Sequence, residues 1–363
     1  MIEPFIMAVA AAMTVAVVYC VSMLAARAGA FLDEPNERSS HDHATPRIGG
    51  AAITGGWVVG LFVMAAFADD GGAAKTLALI GVAGVAAFFV GLADDKLGLS
   101  PVWKFGGQIL VAALFIFFFG ALQSAPLPSL GAVALGPLWG AALTVFWIVG
   151  FMNAFNFMDG ANGLAAGAAA AGLAWFAVFA GLSGAPVLAV AALLLACAAA
   201  GFLPENLIRG KIFMGDNGSQ MLGFLIAAFA VLGANWTEAR LSVLVMPVIF
   251  LPFIFDVAWT LFSRALRKQN LLAAHREHLY QLMMRGGFSH ASVAVIYMGL
   301  VSLCAGAGAL MLAMPPSLQW LAPLALSFVF IVGAARITAR ADKSGLLKRR
   351  AAADDDALQP AAE

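Results

Sequence analysis

Runs of about twenty apolar residues recur along the chain, each closed by a short polar segment. A helix needs about 20 such residues to cross the hydrocarbon core of a bilayer. Inside lipid every backbone N–H and C=O must be satisfied within the segment, so only helices and closed barrels can span it. Eleven runs qualify, at roughly 4–26, 48–68, 74–92, 105–122, 138–157, 162–182, 185–203, 217–234, 241–262, 291–313 and 318–337. The expected fold is an all-α polytopic membrane protein. One transmembrane catalytic domain covers 1–340 with five cytoplasmic loops, and 341–363 is a disordered cytoplasmic tail. Charged residues make up 11% of the chain, against about 25% in a soluble domain, which excludes a soluble enzyme. Ala25-Ala-Arg-Ala-Gly-Ala30 after the first run resembles a signal cleavage region. However, Met1-Ile-Glu-Pro4 ahead of it has no positive charge, so a retained span is expected.

Lysine and arginine set the orientation. With eleven spans, 18 of the 20 fall on the face that carries the segments after spans 1, 3, 5, 7 and 9 and the tail; only Lys75 and Arg240 fall on the other. The first face is expected to be cytoplasmic, with the N-terminus periplasmic and the C-terminus inside. Net charge is zero, and no nucleic-acid partner is expected. Membrane lipid is the surrounding partner, and the basic part of the tail suits anionic lipid. Cys20, Cys197 and Cys304 each lie within an apolar run, so they read as packing residues.

The polar residues on the basic face are not those of plain connectors. Between spans five and six, Phe151-Met-Asn-Ala-Phe-Asn-Phe-Met-Asp-Gly-Ala-Asn-Gly163 sets Asn153, Asn156, Asp159 and Asn162 at intervals of three. That spacing keeps them near one face of a helical turn, and Gly160 and Gly163 allow a tight turn. Asp94 and Asp95 are adjacent at a low-dielectric border. A cation or shared proton would relieve their repulsion, and one could serve as a base. Lys104 enters the next span as a point charge for phosphate. Asp216, within Gly215-Asp-Asn-Gly-Ser219, supplies a hard oxygen suited to Mg²⁺, and Ser219 is a candidate N-cap for span eight. Asp256 near the end of span nine is a functional candidate by its place in the membrane; an arginine partner such as Arg264 is the structural alternative.

All five histidines lie in cytoplasmic loops, including His41 and His43 of the first loop and His290. His275 and His278 share a helical face. Zinc would want further Cys or His ligands and no cysteine is in a loop; phosphate contact with Arg276 fits better. The acids, amides and histidines gather at span ends on one face. That suits an enzyme joining a cytosolic polar substrate to a lipid by metal-assisted phosphoryl transfer. A transporter would more often place charge near the midplane on broken helices.

From Asp33 to His290 the chain resembles the polyprenyl-phosphate N-acetylhexosamine-1-phosphate transferases of glycosyltransferase family 4. Asp94-Asp95 looks like the family's Asp-Asp loop. Asn153, Asn156, Asp159 and Gly160, followed by Gly163-Leu164, match its Asn-x-x-Asn-x-x-Asp-Gly motif. Phe213 to Ser219 match Phe-x-Gly-Asp-x-Gly-Ser, and His275 to His278 match its late histidine motif. The resemblance implies transfer of N-acetylhexosamine-1-phosphate from a UDP-N-acetylhexosamine to undecaprenyl phosphate, with release of UMP, at the cytoplasmic face of the bacterial inner membrane. It implies Mg²⁺, with Mn²⁺ able to substitute, held by Asp216 and Asn156. It implies catalytic roles for Asp94, Asp95, Asp159, Asp216, His275 and His278. Substrate contacts would come from Asp33, His41, Lys104, Asn153, Asn156, Asn162, Gly163, Phe213, Asp256 and Arg276. A homodimer is compatible with it. The branch that handles UDP-MurNAc-pentapeptide typically has consecutive histidines in the last loop and often an acid at the position of Asn162. His-Arg-Glu-His-Leu-Tyr-Gln instead looks like the branch that starts O-antigen, capsule or related polysaccharides, with GlcNAc or a 6-deoxy sugar such as FucNAc or QuiNAc as donor sugar.

Overall fold

The computed structural model describes residues 4–28, 32–33, 45–68, 70–236, 241–271, 273 and 275–347. In chain order the helices are α1 (Pro4–Ala28), α2 (Gly49–Ala66), α3 (Gly71–Leu97), α4 (Pro101–Phe119), α5 (Gly136–Phe157), α6 (Leu164–Leu182), α7 (Pro186–Leu203), α8 (Gly215–Asn235), α9 (Val245–Ile249), α10 (Leu251–Leu266), α11 (Leu279–Arg285), α12 (His290–Leu312) and α13 (Leu321–Lys343). Among the described residues ten of these are long and apolar enough to cross a membrane. Exposed Phe62, Phe117, Phe146, Leu182 and Phe328 leave the outside of the bundle apolar, as lipid contact requires.

The expected ninth span, 241–262, is not one helix. It breaks at Phe250, which ends α9 and precedes α10. Pro252 in the first turn of α10 explains the break: it has no N–H to donate, and its ring clashes with the carbonyl four residues earlier. Asp256, Thr260 and Arg264, four apart, are all buried. α10 thus turns a polar stripe inward. The tail also differs from expectation. α13 runs through Lys343, and Leu347 packs with Leu282 and Ala341; residues 348–363 lie outside the described residues.

α8 is the interior helix. Its residues from Asn217 to Gly233 are all buried, and it packs against α3, α5, α2 and α7. Phe224 meets Phe115 edge-on, and Phe229 stacks on Phe176. At one end of the bundle the starts of α2, α4 and α8 meet the ends of α3 and α5. The amides of Gly49 and Gly50 donate to the carbonyls of Phe213 and Met214 at 2.9 and 2.8 Å. A Cβ on Gly91 of α3 would collide with the Asp216 carbonyl, so the two helices close to backbone contact only because this residue is glycine.

The strands are minor. β1 (Leu32–Asp33) pairs antiparallel with β2 (Thr45–Pro46) near the glycine contact. β3 (Ser124–Leu127) and β4 (Gly131–Ala134) form a hairpin at the opposite end. There the Trp320 indole donates to Pro126 O at 2.7 Å, which anchors the ribbon.

Candidate active site

The end of α3, the start of α4, the end of α5 and the start of α8 bring one ion cluster together. Lys104 Nζ lies 2.6 Å from Asp94 Oδ2, 2.7 Å from Asp216 Oδ2 and 3.4 Å from Asn156 Oδ1. Arg47, just ahead of α2, holds Asp216 Oδ1 at 2.7 Å through Nη2 and Asp95 Oδ1 at 3.2 Å through Nε. The Asn156 amide donates to Ser219 Oγ at 2.8 Å. The fold brings together Asp94, Asp216, Lys104 and Asn156, all candidates from the sequence. Arg47 was read only as an orienting charge, yet it bridges two of the acids. Its place directly before Ile48-Gly49-Gly50, where α2 meets α8, is the signal that could have found it.

The two adjacent aspartates do different things. Asp94 faces the ion cluster, and its Oδ1 accepts the Leu99 N–H at 3.1 Å. Asp95 accepts the main-chain N–H groups of Asp216 at 3.0 Å and Asn217 at 2.8 Å, and the Asn217 side-chain amide at 2.6 Å. Its carboxylate therefore occupies the positive end of α8, where orphan N–H groups favour an anion. These N–H groups hold Asp95, and this fixes the first turn of α8 that carries Asp216. Ser219 is likewise not the N-cap, because α8 begins at Gly215.

Asp159 follows α5 and lies outside the membrane-spanning helices. Enclosure pushes its carboxyl well above the ordinary aspartate range; Arg47 works against this, and the charges of Asp216 and Asp95 add to it. A carboxyl that retains its proton unusually long, beside a phosphate-sized cluster of charge, is a candidate proton acceptor.

The late loop reaches the same end through α5. The Tyr280 hydroxyl donates to Phe157 O at 3.1 Å and lies where a Cβ on Gly160 would have to be. Burial, then the charges of Asp256 and Asp159, raises the Tyr280 phenol above its ordinary range, so it remains a donor. His275 and Arg276 are half-buried beside it. His278 is turned inward: its ring packs on Phe157, Tyr280 and His275, and Nδ1 lies 3.1 Å from Asp256 Oδ1.

Several expected substrate contacts belong to the scaffold instead. Asp256 is fully buried. It accepts from Leu279 N–H at 2.9 Å, Tyr280 N–H at 3.1 Å, Thr260 Oγ1 at 3.3 Å and Tyr297 OH at 2.5 Å. It caps α11 and has no lone pair facing a ligand. The arginine partner considered for it goes elsewhere: Arg264 and Arg267 both meet Glu277. Asn153 pairs with Gln108. Asn162 donates its N–H to His290 Nδ1 at 3.1 Å, and Gly163 donates to Asn206 Oδ1 at 2.7 Å; both tie the Asp159 turn to its neighbours. Phe213 contributes its backbone, donating to Pro46 O and accepting from Gly49. Asp33 lies in β1 opposite Thr45, and His41 lies outside the described residues.

A family model for glycosyl transferase family 4 matches residues 77–234, which contain the Asp94 pair, Lys104, the Asn153–Asp159 series and Asp216. A Bacillus subtilis protein described as a probable undecaprenyl-phosphate N-acetylglucosaminyl 1-phosphate transferase is 38% identical over 77% of this chain and 76% of its own. A Mycobacterium tuberculosis decaprenyl-phosphate N-acetylglucosaminephosphotransferase is 34% identical over 78% and 76%. A Synechococcus phospho-N-acetylmuramoyl-pentapeptide-transferase is 34% identical over 78% and 84%.

Proposed function

The chain belongs to glycosyl transferase family 4, and on that premise we propose that it transfers GlcNAc-1-phosphate from UDP-GlcNAc to a polyprenyl phosphate. The products are polyprenyl-diphosphate-GlcNAc and UMP. The observation that carries this reading is the Lys104–Asp94–Asp216–Asn156 cluster, a polar site built from four helices at one end of the bundle. The N-acetylglucosaminyl relatives support GlcNAc over a 6-deoxy sugar. The lysine and arginine distribution supports a cytoplasmic site in the bacterial inner membrane. The first step of a surface polysaccharide is the reading that fits the His275–Gln281 wording.

An oxygen of the prenyl phosphate attacks the β-phosphorus of the donor. A new P–O bond forms there as the bond to the bridging oxygen breaks, and UMP leaves with that oxygen. Two anions must meet for this, so the site's cations decide the rate. Lys104 is largely enclosed beside carboxylates and Arg47 stays part-exposed between two of them, and we assign both to the incoming phosphates. Asp94, hydrogen-bonded to Leu99 and paired to Lys104, positions Lys104. Asp159 takes up the acceptor's proton where that phosphate arrives protonated.

The donor set also suits Mg²⁺. Asp94, Asp95 and Asp216 face two cations, Arg47 and Lys104, so an entering phosphate calls for further positive charge. Among the described residues no group of three His, Cys, Asp or Glu side chains forms a ready metal cage. Mg²⁺ needs none, since it takes one or two carboxylates and completes its shell with phosphate oxygens and water. Asp216 and Asn156, whose oxygens already surround the Lys104 ammonium, would hold it. When bound, the ion supplies charge stabilisation at the transferring phosphate.

The test is UMP release by purified protein with undecaprenyl phosphate, Mg²⁺ and a panel of UDP-sugars. UDP-GlcNAc is expected to be the preferred donor. Preference for UDP-MurNAc-pentapeptide would move the chain to the peptidoglycan branch. Silence with every donor, in folded protein, would favour a transporter of lipid-linked sugars.

A further inference from the structure

Of the four helices at the ion cluster, α3 carries Asp94, α4 carries Lys104, α5 carries Asn156, and α8 carries Asp216 and Ser219; the last three share a second feature. One turn deeper, α4, α5 and α8 each carry an amide. Gln108 is four residues past Lys104, Asn153 three before Asn156, and Gln220 four past Asp216. These amides bond to one another. Gln108 and Asn153 form a reciprocal pair, with Asn153 Nδ2 donating to Gln108 Oε1 at 2.7 Å and Gln108 Nε2 donating to Asn153 Oδ1 at 3.2 Å. Gln108 Nε2 also donates to Gln220 Oε1 at 2.9 Å. Gln108 and Gln220 are fully buried; Gln220 takes part through Oε1, and its Nε2 has no partner among the described residues. None of these bonds reaches the ion cluster.

We infer that Gln108, Asn153 and Gln220 are a positioning lock that sets the rotation of α4 and α5 against α8, and so holds Lys104 against Asn156 and Asp216. An amide inside a membrane bundle is costly without a partner. A reciprocal amide pair is satisfied only when both helices present the right face. Turning α4 enough to lift Lys104 from Asp216 would break bonds to both neighbours. A satisfied polar network specifies one arrangement of its helices more sharply than apolar contacts do. The inference rests on reading the cluster as the transferase site.

The test compares Gln108→Leu, Asn153→Leu, Gln220→Leu and the triple leucine variant, by melting temperature and by the kinetics of UMP release. A single variant leaves buried amides unpaired, whereas replacing all partners with apolar groups is close to neutral for stability. Each single variant is expected to melt earlier and to lose tenfold or more in kcat, with KM for UDP-GlcNAc changed less than threefold. The triple variant is expected to regain the melting temperature but not kcat. Recovery of kcat together with stability in the triple variant would reduce the amides to packing and overturn the inference. So would single variants with kcat within threefold of wild type. If the triple variant does not fold, Gln108→Glu decides. Its protonated carboxyl keeps one donor and one acceptor, so it is expected to retain at least fivefold more activity than Gln108→Leu, and equal losses would contradict the lock. Absence of UMP release by the wild type would instead strike at the transferase reading, before any variant is compared.

Discussion

Replacing Asp256 with alanine should release the late loop from the bundle while leaving the bundle standing. Five donors converge on that carboxylate: the ring of His278, the N–H groups of Leu279 and Tyr280, and the hydroxyls of Thr260 and Tyr297. The three side chains can turn to other partners. The two backbone N–H groups cannot, and at about 1–3 kcal/mol for each unsatisfied buried donor their loss costs about 2–6 kcal/mol. That load falls on α11, a seven-residue helix, held otherwise by Leu279, Tyr280 and Leu282. A short helix cannot sustain itself against such a cost, so the segment should open locally. Hydrogen exchange read by mass spectrometry in detergent is the assay. Amides across 279–285 should exchange at least about tenfold faster, since about 1.4 kcal/mol is one decade, while those of α8 hold. UMP release should fall in parallel, because Tyr280 and the histidines lose their seat beneath Gly160. Unchanged protection across 279–285 in Asp256→Ala, with turnover near wild type, would refute the anchoring role.

Other consequences follow from the same geometry. Gly91→Ala puts a methyl where the Asp216 carbonyl lies; overpacking of this kind costs about 1–3 kcal/mol, and a lower melting temperature with activity down tenfold or more is expected. Asp95→Asn keeps an acceptor but loses the charge at the start of α8, a loss of about 0.3–2 kcal/mol, and is expected to lower the melting temperature slightly and kcat strongly. Asp159 gives a signed pH effect. Its folded proton affinity is raised, so the stability from its protonated form is complete below the ordinary aspartate value of 3.8 and is lost as pH rises through the raised folded value. Asp159→Asn should therefore flatten the fall of melting temperature with pH over that window. In the wild type kcat/KM should rise across the same window as the base ionises. A kcat/KM already level from pH 4 upward would contradict that role for Asp159.

Most of the membrane architecture was legible because lipid forces it: an apolar run of spanning length can only be a helix, and ten of eleven are continuous. The ninth failed where Pro252 interrupts a run whose hydropathy alone looks unbroken. Lys104, Asp94 and Asp216 were legible because charge at a span end has few structural uses, and Asn156 because it belongs to an amide series at intervals of three. Asp95 and Asp256 were legible as important and illegible in role. Each takes its meaning from a helix terminus that arrives from 121 or 23 residues away, and no local pattern announces that meeting. Gln108 was invisible for the same reason: one amide in an apolar run reads as noise until Asn153 and Gln220 are beside it. Arg47 was hidden by the very rule that oriented the chain, which treats a loop arginine as a topological signal.

The most direct measurement follows the β-phosphorus. UDP-GlcNAc labelled with ³²P in the β position, polyprenyl phosphate and Mg²⁺ are incubated with wild-type protein and with Asp216→Ala, and label is counted in the lipid extract. Label entering the lipid with the wild type, with equimolar UMP and loss of about a hundredfold or more in the variant, is the expected result. Label left in water-soluble UDP while sugar reaches the lipid would mean plain glycosyl transfer, and label in lipid at equal rates with Asp216→Ala would place the chemistry elsewhere in the protein.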